Sequence, residues 1–600
     1  MAKKLFFLTT LLSFLSYFAS GQLGIVEKDF EISRKAKKGY LGNVTKTDNG
    51  GFDMIYILPS GKRKIKSEIY HFDKDINLLG TDKDEIEIEK ARNKWKWFSY
   101  KGDYFLTNTL TASQTTTGNL IFRKKRVDAN WNWWAGRYVR KVKMTDKVKP
   151  KNESGLKYRF VGGTYEVERD SSVLVLALDP TPESKAGDPA HYTLLKCDNE
   201  VNLEKMGTLD FPFAVQPVFS KPLNDELSEQ VPNDDMPRDW IVVMAPSKSL
   251  SSKSNRADNP ANFFYIRISP EGKIKEQISF TAPTTGYRIL NATEKDGSVL
   301  LYGLGTGDKG KFIDQELNTV LVPTTSADAA EQAAGNTEKG KALGFGKLIN
   351  TISGQEDNGL TQEALDGTLD EKNYKQFVFV KIANGNIEWT SLNDLKMVND
   401  NAVAPPDMKK PLKFDGKKFY VSNLQFMQNK SMVMSIQDFK VQKEVRYYQG
   451  MFLMHFDEKG NLQKNYTVKI DQKGKKGFFN KSPMTSDMFP ASSYIYETPG
   501  GNLNWVMHIV KAIDQDSYFD SNYFTGWTTK TTTYSPLYSV EYGSIDPKAG
   551  TASDFKTLGE DEKRKYYLYE NNNTLRLNNF LYFFSETTKG DKLLVSRLEL

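Results

Sequence analysis

Between Phe377 and Trp389 the chain reads FVFVKIANGNIEW: a run suited to a pleated strand, a break at Asn384-Gly385, then a period-2 pattern restarting at Ile387 and Trp389. Asn and Gly tolerate positive φ, so the stretch predicts a β-hairpin. The same shape returns as FFYIRISPEGKI from Phe263 to Ile274, FLMHFDEKGNL from Phe452 to Leu462 and, more loosely, YHFDKDINL from Tyr70 to Leu78. Weaker copies run from Leu194 to Leu203 and from Tyr542 to Gly550.

A second pattern precedes these hairpins. Tyr40 to Leu58 reads as strand, an Asp48-Asn49-Gly50-Gly51 turn, and strand; it recurs at Tyr287 to Leu304, Phe419 to Ile436 and Tyr494 to Val510. A strand pair followed by a hairpin makes one four-stranded unit. Such units are expected near 40–85, 95–145, 157–207, 238–280, 286–392, 418–470 and 492–557, with two further strands between Leu575 and Leu600. Four-stranded repeats around a central channel form a β-propeller, so the expected class is all-β, with about seven blades and six to eight compatible. A ring of this kind closes by joining its first and last segments in one sheet. Two stacked β-sandwiches are the alternative.

Asp314 to Lys372 breaks the pattern. It is rich in Ala, Gly, Gln, Glu and Asp, with helical stretches near Ala329 to Ala334 and Leu343 to Ser353, and it reads as a partly helical insertion within one blade. An insertion this long is functional or disordered; Phe345, Leu348 and Ile349 give it a short apolar face.

The repeat resembles the β-propeller units of exported Bacteroidota proteins, in which a strand, a DGG turn and a strand precede a hairpin reading like YLVKLDxxGNxxW. Phe379 to Trp389 carries the resemblance best; some other copies lose the Gly, and only this one keeps the Trp. The resemblance implies a propeller fold and an exported address, and no particular activity.

Residues 1–21 fit that address: Lys3 and Lys4, an apolar run from Leu5 to Phe18, then Ala19-Ser20-Gly21, the pattern of a secretory signal. The propeller is then expected over 22–600, in the periplasm or on the outer membrane. No later run has the roughly 20 apolar residues of a spanning helix, so membrane association is expected only through a partner or a folded surface. The lone Cys197 has no disulfide partner and reads as a small buried hydrophobe.

Charge sharpens the picture. The formal net charge is +7, yet Arg92 to Lys151 alone holds 15 Lys or Arg against Asp103, Asp128 and Asp146. In an exported protein this excludes nucleic acid and points to an acidic glycan or a protein partner in the cell envelope. Five of the nine tryptophans fall in the same region, in KWKWFSYKGDYF and NWNWWAGRYVRK. Trp95, Trp97, Trp131, Trp133, Trp134, Arg137 and Arg140 are therefore the candidate binding residues, because flat rings flanked by cations anchor interfaces and stack on sugars. The competing reading is that these rings fill space between neighbouring blades.

Catalytic chemistry is sparse. The four histidines are His71, His191, His455 and His508; His71 and His455 occupy one repeat position, each just before Phe-Asp, which reads as structural. No HExxH motif or Cys cluster predicts a metal, and no cofactor is expected. Asp514, Asp516 and Asp520 resemble a calcium loop without its Gly and distal Glu. Asp73, Asp198 and Asp457 read as turn formers. The expected function is a protein-binding or scaffold module, with a carbohydrate-active hydrolase or a non-catalytic glycan binder as the alternative.

Overall fold

The computed structural model describes residues 25–58, 64–87, 97–100, 103–106, 109–115, 117–132, 137–167, 172–180, 189–223, 238–246, 263–284, 287–305, 375–416, 418–442, 445–470, 485–521, 528–558, 566–568, 574–577, 579–587 and 592–599. The signal-like segment and the 314–372 insertion lie outside these residues.

Apolar runs and alternating runs take different places. Ser172–Leu178 is buried at nearly every position, and Gln376–Ala383 nearly so. Ile274–Phe280 and Asn386–Asp394 alternate between exposed and half-buried over most of their length. The first kind forms the middle strands of antiparallel sheets covered on both faces; the second forms their outer strands.

The sheets are four-stranded meanders. Sheet 1 is Tyr40–Lys46, Phe52–Leu58, Lys64–Phe72 and Leu78–Glu87. Sheet 2 has three strands, Thr109–Gln114, Leu120–Asn132 and Arg137–Val148, with a separate hairpin, Trp97–Tyr100 and Asp103–Leu106, nearby. Sheet 3 runs from Arg159–Val167 through Ser172–Leu178 and Ala190–Cys197 to Leu203–Phe211. Sheet 4 is Val215–Pro222, Trp240–Pro246, Phe263–Ile268 and Ile274–Phe280. Sheet 5 is Arg288–Lys295, Ser298–Gly305, Gln376–Ala383 and Asn386–Asp394. Sheet 6 is Phe419–Phe426, Met432–Gln442, Val445–Phe456 and Leu462–Val468, with Ala402–Val403 added in parallel.

Sheet 7 holds Ser492–Glu497, Leu503–Ser521 and Thr528–Asp546 with short edge strands, and Tyr566–Leu568 links it to a last group, here sheet 8. Sheet 8 is Thr574–Leu577, Phe580–Thr587, Lys592–Glu599 and, at its edge, Ile25–Glu31. That final pairing is antiparallel, from Ile25 opposite Leu598 to Glu31 opposite Lys592, so the first and last described strands share a sheet as expected.

One correction concerns sheet 4, which starts at Val215 and not near 238. Pro217 and Pro222 argue against a strand there, but a register shift between Pro217 and Phe219 absorbs the first of them. Similar shifts fall in the first strands of sheets 1, 5 and 6, at Leu41/Asn43, Ile289/Asn291 and Val421/Asn423. At two of them the Asn side chain caps the next backbone N–H, Asn43 to Val44 at 2.8 Å and Asn291 to Ala292 at 2.9 Å.

Seven apolar clusters lie between consecutive sheets, joining 2 to 3, 3 to 4 and onward to 7 with 8 and 8 with 1. From sheet 2 to sheet 7, the first strand of each packs beside the first strand of the next. Trp240 and Trp505 are fully buried, their indole N–H groups satisfied by Ser220 at 2.9 Å and Ser493 at 2.7 Å. Cys197 is buried, and burial pushes its thiol up to about 12, which fits the reading of a small hydrophobe.

Candidate binding face

Each meander alternates direction, so its first and third connections lie at one end and its second at the other. Short links such as Phe211 to Val215 start the following sheet at the end where the previous one stopped, which keeps the two ends distinct among the four-stranded sheets. The ends differ in kind.

The first end carries tight turns. Asp73, Asp198 and Asp457 each accept backbone N–H groups two and four residues on, at 2.8 to 2.9 Å, and each bonds the Asn four residues on. They are turn formers, as expected. The fourth turn residue needs positive φ: Gly460 (77°) supplies it freely, whereas Ile76 (60°) and Val201 (67°) adopt it at a conformational cost. The signature Asn384-Gly385 pair sits at φ 51° and 72°. A Cβ on Gly460 would come within 3.1 Å of the Trp389 ring, and the Gly460 carbonyl accepts from Ser391 Oγ and Asn393 Nδ2 at 2.8 and 2.7 Å. The repeat motif thus fastens sheet 5 to the turn of sheet 6.

At this end sheet 1 holds an open polar cleft of about 420 Å³, bordered by Thr47, Asn49, Asp53, His71, Leu79 and Asp82 among others. His71 Nδ1 lies 2.8 Å from Asp53 and Nε2 3.2 Å from Asp82, so the ring ties three adjacent strands. The hydrogen bond to Asp53 raises its pKa. His455, at the same repeat position in sheet 6, is buried with both ring nitrogens unpartnered, and burial lowers its pKa. Among the described residues no group of His, Cys, Asp or Glu could hold a metal ion.

The opposite end carries long hairpins. Sheet 2 is the exception, because its third strand stops at the end of its first connection: the link after Val148 folds back on itself there, and the Leu120 N–H donates to Tyr158 at 2.8 Å at the start of sheet 3. Its first strand pairs only with Leu120 to Lys125, and the ribbon beyond, 126–132 with 137–143, points to the turn end of sheet 3, where Lys124 lies 3.8 Å from Glu200. In sheet 6, 439–442 and 445–448 extend likewise past the flanking strands. In sheet 7, Leu503–Ser521 and Thr528–Asp546 stay paired past the first strand; beyond buried Ile513, 514–521 with 528–535 continues for roughly 25 Å at the usual rise of about 3.3 Å per residue. Sheet 5 opens its second connection here too, between Gly305 and Gln376, the Lys375 N–H donating to Gly305 at 2.8 Å.

Described side chains at this end brace the ribbons. The Arg446 guanidinium lies 4.9 Å over the Phe439 ring, Phe439 packs on Tyr448, and Tyr447 leans on the core between sheets 7 and 8. Asp438 sits in a bulge, accepts the Gly450 N–H at 2.7 Å, and is pushed up to about 6, chiefly by burial. Buried Lys511 pairs with Glu541 at 3.1 Å beside the bulge where the sheet 7 ribbon departs.

Trp131, Arg137 and Arg140 all fall on the sheet 2 ribbon, with Trp131 opposite Tyr138, Arg137 opposite Asn132 and Arg140 opposite Ala129. Trp97 opens the separate hairpin, opposite Leu106, and the returning strand Asp103–Leu106 approaches both long strands of sheet 2. Trp95, Trp133 and Trp134 lie outside the described residues. Asp514, Asp516 and Asp520 belong to a continuous strand and form no calcium loop. The extended hairpin they sit in escaped the sequence reading, although the Thr-rich run TTKTTTY was a strand signal. Among the described residues no helix is long and apolar enough to cross a membrane.

No protein-family model matches the chain, and no curated protein matches it. Among solved structures, a cobalt-substituted Synechocystis apocarotenoid oxygenase aligns at 10% identity over 90% of this chain and 94% of that one, with a TM-score of 0.26. An ACO/RPE65 chimera aligns over the same shares at 10% identity and 0.24. Likeness at this level carries no argument about the fold or its chemistry.

Proposed function

We propose that the sheets stand as blades around a common axis, a β-propeller of eight strand groups, and that the chain is an exported protein-binding or scaffold module of the cell envelope. The contrast between closed turns and projecting ribbons carries this reading. Turns closed by their own side chains need nothing from outside, whereas long ribbons present backbone edges and side chains beyond any sheet of their own. The sheet 2 ribbon adds a basic, aromatic composition suited to an interface anchor. The signal-like residues 1–21 support export, and the partner is then an envelope protein with an acidic face.

The test is affinity purification of the tagged chain from detergent-solubilised native envelopes, beside a variant in which 126–143 is replaced by an Asn-Gly turn. The trimmed segment lies beyond the pairing of the first strand of sheet 2, so the variant keeps that sheet's three-stranded part and should melt within a few degrees of the parent. A stoichiometric companion held by the parent and lost by the variant is the expected result. A companion held equally by both, or none at all, overturns the reading.

A further inference from the structure

A one-residue register shift recurs between the third and fourth strands of sheets 1, 4, 5 and 6, beside the turn that joins them. Just inside it the fourth strand carries Glu276 opposite Arg267, Trp389 opposite Lys381 and Lys464 opposite His455, so the shift itself makes no demand for glycine. Of these four sheets only sheet 1 has one, Gly80 opposite His71. Glycine inside a strand weakens it and often marks a place where a ligand or another backbone comes close. No part of the described chain does so here: a Cβ on Gly80 would meet no atom within 4 Å, and the residue's φ lies outside the left-handed region.

The space over Gly80 belongs to the polar cleft of sheet 1. Phe52 and Phe72 pack against sheet 8, so Asp53 and His71, one residue along, point to the other face. Among the described residues no apolar cluster joins that face to sheet 2, whereas the equivalent face of sheet 6, with Leu453 and the buried His455, is covered by sheet 7. The strand partner changes as well: Val433 lies opposite His455, and Asp53 opposite His71. Asp53 and Asp82 each give one carboxylate oxygen to the His71 ring and keep the other. Asn49 turns its side-chain oxygen to Thr47 and the Gly51 N–H, which leaves its amide nitrogen to donate. Beside these groups the Leu79 side chain is exposed.

We propose that this cleft binds a neutral sugar, its ring over Gly80, its hydroxyls between Asp53, Asp82 and Asn49, and its C–H face against Leu79. Neighbouring hydroxyls donate and accept together, which is what two carboxylates and an amide N–H require. An acidic sugar would meet the carboxylates and be repelled, and a compact cation would find one oxygen of each already held by the His71 ring. The site goes beyond the proposed companion binding and does not depend on it.

The test is saturation-transfer NMR on the full chain at pH 7. The probes are the methyl glycosides of mannose, galactose, glucose and N-acetylglucosamine, beside methyl glucuronide and methylammonium. At least one neutral glycoside should receive saturation. Gly80→Leu, which fills the open space without displacing a neighbour, should weaken its binding at least tenfold while the melting temperature holds. Asp82→Ala, at an exposed position, should weaken it several-fold. No transfer to any neutral glycoside, transfer to methylammonium or the glucuronide alone, or equal binding by parent and Gly80→Leu overturns the site. Such a failure leaves the envelope companion untouched, since purification tests that separately.

Discussion

The turn end and the long-hairpin end are built from the same strands and obey different rules. At the turn end, Asp73, Asp198 and Asp457 repeat one hydrogen-bonded loop in three sheets, down to the Asn four residues on. Among the projecting hairpins no two match: one, in sheet 2, is basic, one acid-rich and Thr-rich, and one leans on its neighbour through Tyr447. Repetition marks where the fold needs the same geometry each time. Divergence marks where it does not, and there a partner can leave its imprint.

The comparison breaks most sharply if substitutions near the turn end leave stability untouched. Phe456 is fully buried, its ring 4.9 Å from Phe379 and 6.5 Å from Phe377, so Phe456→Ala should cost about 3–5 kcal/mol in urea unfolding. Next in size is Asp457→Ala, which strips the turn of its side-chain acceptor and should cost about 1–2 kcal/mol without altering the hairpin end. A loss below about 0.5 kcal/mol would mean that the turn geometry is held by the Gly460 backbone alone.

The smallest effect sharpens the contrast within the turn end itself. His71 has a pKa raised above the ordinary 6.5 by Asp53, so its clamp stabilises fully below 6.5 and fades as pH climbs through the folded value. His455 has a lowered pKa, so the folded state resists a proton that the unfolded chain accepts, and stability falls as pH drops below 6.5. Melting temperatures across pH 5 to 8 should show His71→Gln most destabilised in acid and His455→Leu relieved of acid sensitivity. Parallel profiles would contradict the opposite environments of the two rings.

Much of the turn end was legible beforehand, because its signals are local. Asn384-Gly385, the Asp-led turns and the alternation around them placed most sheets within a few residues, and the pairing of first and last strands followed from the unit pattern. Sheet 4 lost its first strand to Pro217, whose cost is offset by a bulge visible only in register. Ile76 and Val201, β-branched residues at positive φ, made two of the turns read as looser or weaker copies, although their Asp73 and Asp198 were legible. The long hairpins were the least legible: strand length past a sheet depends on what the ribbon meets in space, and Asp514 to Asp520 reads locally as a polar loop.

The central claim is that contact with a partner belongs to the projecting ribbons and not to the closed turns. Lysines on both make it testable by amine cross-linking of the tagged chain in native envelopes, read by mass spectrometry. Lys141, Lys143 and Lys530 lie on the projecting ribbons, while exposed Lys46, Lys74, Lys273, Lys459 and Lys548 flank or lie in the turns. Links to a companion protein are expected at the first set. Links confined to the second set would contradict the account.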